Sequence, residues 1–169
     1  MKSRIISIAS WVIILWIAKV FLSSLPYKFT GHPDTQHIFS TIGGWMSNTI
    51  STGLGHWFTQ YGAYAVGSAE LIVSIILLSP AVFFLLKKLN LISKTPAREI
   101  IHSIGGVMAS SVMLGAVFFH LATPLGIVVL HNGQSDNGSL FFAAVSILIL
   151  GITMALVNYT HWRSLKSAS

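Results

Sequence analysis

The chain has 169 residues, of which ten are Lys or Arg and four are Asp or Glu, for a net charge of +6. Only 8% of residues are charged and 53% are hydrophobic, with a mean hydropathy of +0.75, whereas soluble domains carry about a quarter charged residues. This excludes a water-soluble domain and a disordered chain, and the absence of Cys excludes disulfides, thiol relays and Cys-ligated metals.

Four stretches reach the roughly 20 apolar residues that a helix needs to cross the bilayer's hydrocarbon core. The first, residues 5–25, contains Trp11, Trp16 and one charge, Lys19. Its apolar run exceeds that of a cleavable signal, and Ser23-Ser24-Leu25 is a poor cleavage site, so it is read as a retained helix ended by Pro26. The connection 26–61 follows. In it Ile38, Phe39, Ile42, Trp45 and Met46 recur at helical spacing, which predicts a short amphipathic helix on the outer membrane surface. Trp57, Phe58, Tyr61 and Tyr64 predict an interfacial belt at the entry to the second span.

The second span, residues 62–86, carries one charge, Glu70, and contains Pro80. A proline inside a helix kinks or ends it, and an early end would make 81–88 a separate short piece. Ser93-Lys94-Thr95-Pro96 breaks the chain before the third span, 100–122, which holds His102 and His120. Asp136-Asn137-Gly138-Ser139 predicts a turn with Ser139 as the helix cap. The uncharged fourth span covers 139–159. The runs are long and do not alternate, and helices satisfy every backbone group within a span. The expected fold is therefore all-α: a single membrane domain forming a transmembrane four-helix bundle, with an amphipathic outer-surface segment between the first two spans.

Charge placement sets the orientation. Lys2, Arg4, Lys87, Lys88, Lys94, Arg98, Arg163 and Lys166, eight of the ten basic residues, fall on one side of the four crossings. The positive-inside rule places that side, with both termini, in the cytoplasm. The +6 charge then reflects basic residues beside anionic lipid headgroups, and no nucleic-acid partner is expected.

Ionisable residues within spans are costly and so mark function. Glu70 lies roughly 13 Å into its helix, on a small-residue stripe with Ala63, Gly67 and Ser74. Such a stripe admits a neighbouring helix, so Glu70 points into the bundle, protonated or paired. Lys19 sits at similar depth and either pairs with Glu70 or snorkels outward on its long stem. Lys28, at the outer edge, is equally within reach. His120, near the outer end of the third span, shares a face with Ala109, Met113 and Ala116. Glu70, His120 and one or both lysines thus form a candidate outer-half pocket that holds a polar head group or relays a proton; the alternative is a ligand-free packing cluster. Haem is not expected, because His102 and His120 lie about 27 Å apart on one helix. Nor is a metal site: His32, His37, His56 and His131 form no tight cluster in sequence. Gly43-Gly44 and Gly105-Gly106 are assigned to turns and close helix packing.

The run Leu25-Pro26-Tyr27-Lys28-Phe29-Thr30-Gly31-His32-Pro33-Asp34, then Glu70-Leu71, Leu77-Leu78-Ser79-Pro80 and Gly115-Ala116-Val117-Phe118-Phe119-His120-Leu121, resembles the DoxX-like family of small bacterial four-helix membrane proteins over residues 5–160. The family element after the first helix corresponds to Lys28, Phe29, Gly31, His32 and Pro33; Glu70 and His120 match its acid and its histidine. The segment 81–100 departs from it, being longer than in many members. The resemblance implies a bacterial inner-membrane location and association with quinone-linked redox or detoxification enzymes, with quinone as the one cofactor to consider. The expected function is a redox-associated membrane subunit that binds quinone or lipid. The alternatives are a non-catalytic scaffold that docks a partner protein through 26–61, and a small-solute carrier that works as a homo-oligomer.

Overall fold

The computed structural model describes residues 2–167. Five helices follow in chain order: α1 (Lys2–Phe29), α2 (Pro33–Thr49), α3 (Thr52–Lys88), α4 (Arg98–Ala122) and α5 (Ser139–Ser167). A small antiparallel hairpin, β1 (Leu130–His131) and β2 (Gln134–Ser135), lies between α4 and α5. Helices α1, α3, α4 and α5 are long and apolar enough to cross a membrane, giving the expected all-α four-helix arrangement. Large side chains such as Ile8, Leu15, Ile75, Phe84, Leu114, Ile149 and Leu156 stand exposed around them. So continuous an apolar surface suits lipid and not water.

Neither in-helix proline ends its helix. Pro80 has no N–H to give the Ile76 carbonyl, and the Ser79 hydroxyl bonds that carbonyl instead, at 2.7 Å. With the freed acceptor satisfied, α3 runs on unbroken to Lys88, so 81–88 is not a separate piece. Likewise α1 passes through Pro26 and ends at Phe29, where Gly31, at φ 67°, turns the chain.

Contacts establish how the helices alternate. Arg98 at the start of α4 bonds Ser7 of α1 at 2.6 Å, and Asn158 late in α5 bonds Ser10 of α1 at 2.9 Å. The start of α1, the connection 89–97 and the end of α5 therefore share one end, termed inner; α2 and the hairpin share the other, termed outer. Between them lies a dry core of Ile14, Ile17, Phe21, Val73, Leu77, Ala109, Met113, Ala144, Ile147 and Met154. Its two buried hydroxyls both turn to backbone carbonyls: Ser74 to Glu70 at 2.8 Å and Ser110 to Leu148 at 3.1 Å. At the inner end, His102 is fully buried and packs edge-on against Trp11, with ring centroids 5.4 Å apart.

With 37 residues, α3 is about 55 Å long at the usual helical rise, against a hydrocarbon core of about 30 Å. Its first turns project beyond the outer end, starting from Ser51, whose hydroxyl caps the Leu54 N–H at 3.1 Å. Helix α2 packs on this extension, burying Thr35, Phe39, Ile42, Gly43 and Met46. The apolar stripe expected to lie on the membrane instead faces protein. Ile42 and Met46 join Leu125 and Val129 of the second outer connection in a small outer core, with Trp45, Phe58 and Phe119 against it.

Within the span bundle, α4 crosses α5 closely through glycines. A Cβ on Gly106 would lie 2.6 Å from the Gly151 carbonyl oxygen, and one on Gly151 would lie 2.9 Å from that of Gly106. The Gly105-Gly106 doublet thus does serve close helix packing. The Gly106→Ala variant should lose about 1–3 kcal/mol through overpacking, seen as a lower midpoint of thermal unfolding in detergent. Gly115→Ala on the same helix has nothing within 4 Å of the added methyl and should not lower the midpoint.

Candidate functional site

Among the described residues, the outer half contains one buried ion pair. Lys28 Nζ lies 2.6 Å from Glu70 Oε2 and donates to the Ser24 hydroxyl at 2.7 Å. Ser24, one turn before Lys28 on α1, has both Glu70 Oε2, at 2.8 Å, and the Phe21 carbonyl, at 2.7 Å, within reach of its hydroxyl hydrogen. The Glu70 side chain is 4% exposed and that of Lys28 14%. The two charges neutralise each other where either alone would be costly. Backbone shape permits the approach: a Cβ on Gly67, one turn before Glu70, would sit 3.2 Å from Phe29 Cζ and 3.4 Å from Lys28 Cβ.

Of the four residues expected to form a pocket, Lys28 and Glu70 are brought together and the other two are engaged elsewhere. Lys19 is exposed, with its ammonium 5.7 Å from the Trp16 ring centre. It takes the rim position, and Glu70 takes Lys28. His120 is buried, but its Nδ1 lies 2.6 Å from the Gly126 carbonyl oxygen and its ring meets Phe141 edge-on. It fastens the second outer connection to α4. Among the described residues it makes no hydrogen bond to Glu70 or Lys28.

Beside the ion pair opens a cleft of about 570 Å³ between α2, α3 and the hairpin, lined among others by Lys28, Gln36, His37, Thr59, Tyr64 and His131. That volume lies within the usual range for small-molecule sites, about 300–1,000 Å³. An ammonium has three N–H donors. Two on Lys28 are engaged by Glu70 and Ser24, which leaves one for an acceptor oxygen in the cleft. Carbonyl and phosphate oxygens both fit this donor, so the site is compatible with a quinone head or a lipid headgroup. Among the described residues no group of three or more His, Cys, Asp or Glu is arranged to hold a metal ion.

The far wall of the cleft is a polar clasp between α2 and the hairpin. His37 and His131 stack with ring centroids 4.6 Å apart, and His131 Nδ1 lies 2.6 Å from Asp34 Oδ1. The hydrogen bond from His131 holds the Asp34 carboxyl below its usual range. At the start of α5, burial pushes the Asp136 carboxyl up, but N–H groups of Leu140, Gly138 and Val129 outweigh this and hold it below its usual range. Asp136, not Ser139, therefore caps α5, accepting from Gly138 and Leu140 at 3.0 and 3.1 Å. The i, i+4 spacing of Ser24 and Lys28 signals Ser24 as a partner of the ion pair in retrospect. The Asp34–His131 contact joins residues 97 apart and has no local signal.

The chain matches no protein-family model, no curated protein and no solved structure.

Two measurements check this geometry. Lys28→Met alone leaves a buried carboxylate unpaired and should cost about 3–5 kcal/mol, while Lys28→Met with Glu70→Leu should recover most of the loss; unfolding of both in detergent gives the comparison. The Asp34 carboxyl, followed by ¹³C NMR, should titrate below the unperturbed value of about 3.9, and in His131→Ala its midpoint should rise. Since folding lowers this value, the clasp's contribution is complete above the unfolded value. It is lost as pH falls through the folded one.

Proposed function

We propose that the chain is a DoxX-like subunit of a bacterial inner membrane, with both termini cytoplasmic, and that it holds the polar head of a quinone in its outer cleft for a redox partner. The observation that carries this reading is a lysine shared between a buried carboxylate and a cleft of ligand size. Glu70 and Ser24 hold the Lys28 ammonium in place. Lys28 then orients a carbonyl oxygen and stabilises negative charge on it. Tyr64 and Phe39 offer ring surface to the apolar part of the head, and His37 and His131 offer further polar atoms across the cleft. The inner-end concentration of basic residues supports the orientation.

A second reading rests on the exposed outer extension of α3. Trp57 and Tyr61, half exposed with ring centroids 6.2 Å apart, offer a partner protein an aromatic surface. Stable co-purification that Trp57→Ala abolishes, with quinone binding absent, would favour this scaffold role.

Quenching of tryptophan fluorescence by a short-chain ubiquinone analogue tests the first reading on folded, detergent-purified protein. Lys28→Met and Glu70→Gln should each weaken binding about tenfold or more, the usual worth of a charged hydrogen bond, and Lys19→Gln should not change it. Unaltered affinity in both Lys28→Met and Glu70→Gln would overturn the assignment.

A further inference from the structure

A second cleft, also of about 570 Å³, opens at the inner end between α1, the end of α3 and the start of α4. Its two ends differ in chemistry. Trp11, Pro80, Ala81, Phe83 and Phe84 form an apolar floor, while Lys87 and Arg98 stand at the mouth with Thr95 and Pro96. A basic mouth above an apolar floor is complementary to a lipid that has an anionic headgroup and an acyl chain.

The charge balance at the mouth is one-sided. Glu99 is the only acid between Lys87 and Arg98 or beside them in sequence, and it is bonded to Arg98 Nη2 at 2.7 Å. Lys87, Lys88 and Lys94 make no ion pair among the described residues. Arg98 spends Nη1 on Ser7 and leaves Nε buried with no hydrogen-bond partner. The inner mouth therefore carries uncompensated positive charge and at least one unused guanidinium donor. The turns of α3 after Pro80 supply Ala81, Phe83 and Phe84 of the floor, and Lys87.

We propose that this inner cleft is a binding site for one anionic phospholipid, its phosphodiester at Lys87 and Arg98 and one acyl chain along Trp11, Ala81 and Phe84. The site is separate from the outer cleft and shares no residue with it. The lipid ties together the inner ends of α1, α3 and α4, where the connection 89–97 has no secondary structure of its own.

Native mass spectrometry of the delipidated full-length protein, offered equal amounts of dioleoyl phosphatidylglycerol and dioleoyl phosphatidylcholine, tests the site. One phosphatidylglycerol adduct should be retained preferentially. Lys87→Gln should reduce that preference about fivefold, the effect of one lysine at an anionic surface. Lys94→Gln, in the same connection but outside the cleft lining, should leave it unchanged, as should Lys19→Gln, outside that lining on α1. Ala81→Trp, which fills the floor from an exposed position, should remove the adduct while the protein remains folded by thermal unfolding. The proposal is overturned by equal retention of phosphatidylcholine. It is equally overturned if Lys94→Gln costs as much as Lys87→Gln, which would mean diffuse surface attraction, or if the adduct persists in Ala81→Trp.

Discussion

The ion pair between Lys28 and Glu70 governs how the outer half is built. A carboxylate at this depth needs a cation held against it, and only a lysine on the last turn of α1 is placed to supply one. That demand explains why α1 continues through Pro26 instead of stopping at it: the turn beyond the proline carries Lys28. It also suits Gly67, because a Cβ there would press on the Phe29 ring and the Lys28 stem at 3.2–3.4 Å. The turn at Gly31 then starts α2 directly above the pair, and the cleft is the space left where α2 leans on α3. One electrostatic requirement thus sets a helix length, a helix contact and the position of a pocket.

The second determinant is a length mismatch. A helix of 37 residues cannot fit within a bilayer's hydrocarbon core, so α3 must either tilt strongly or project. The projecting part gives α2 something to pack on. The result is an outer lobe with a core of its own, closed by the second outer connection through Leu125 and Val129. His120 and Asp136 then act as fasteners. One ties the connection to α4 and the other ties it to α5, so the hairpin that bears His131 is held over the cleft from two sides.

Much of this is legible in the sequence, for reasons specific to each element. The spans are visible because the bilayer imposes both length and composition. Glu70 is visible because any charge in such a span needs an explanation. The stripe from Ile38 to Met46 identifies α2 as a helix, but an apolar face says only that something covers it, and protein covers it here instead of lipid. The fate of Pro80 depends on one hydroxyl, that of Ser79, finding the freed carbonyl, a contact that hydropathy does not report. Choosing between Lys19 and Lys28 as the partner of Glu70 requires knowing which way each faces on α1, and both were within reach by depth alone. The clasp of Asp34, His37 and His131 depends on the packing of two distant connections and leaves no trace in local spacing.

The dry layer of Ile17, Phe21, Val73, Leu77 and Met113 separates the outer ion pair from the inner polar residues Ser10, Arg98, His102 and Asn158. Its hydroxyls, Ser74 and Ser110, are bonded to backbone carbonyls, and among the described residues no chain of hydrogen-bonded side chains links the two ends. On the proposed quinone reading, a proton taken up at the outer cleft would return to the outer side, and chemistry there would proceed without moving net charge across the bilayer. On that same reading, a redox partner would have to meet the cleft from the outer surface or from within the outer leaflet.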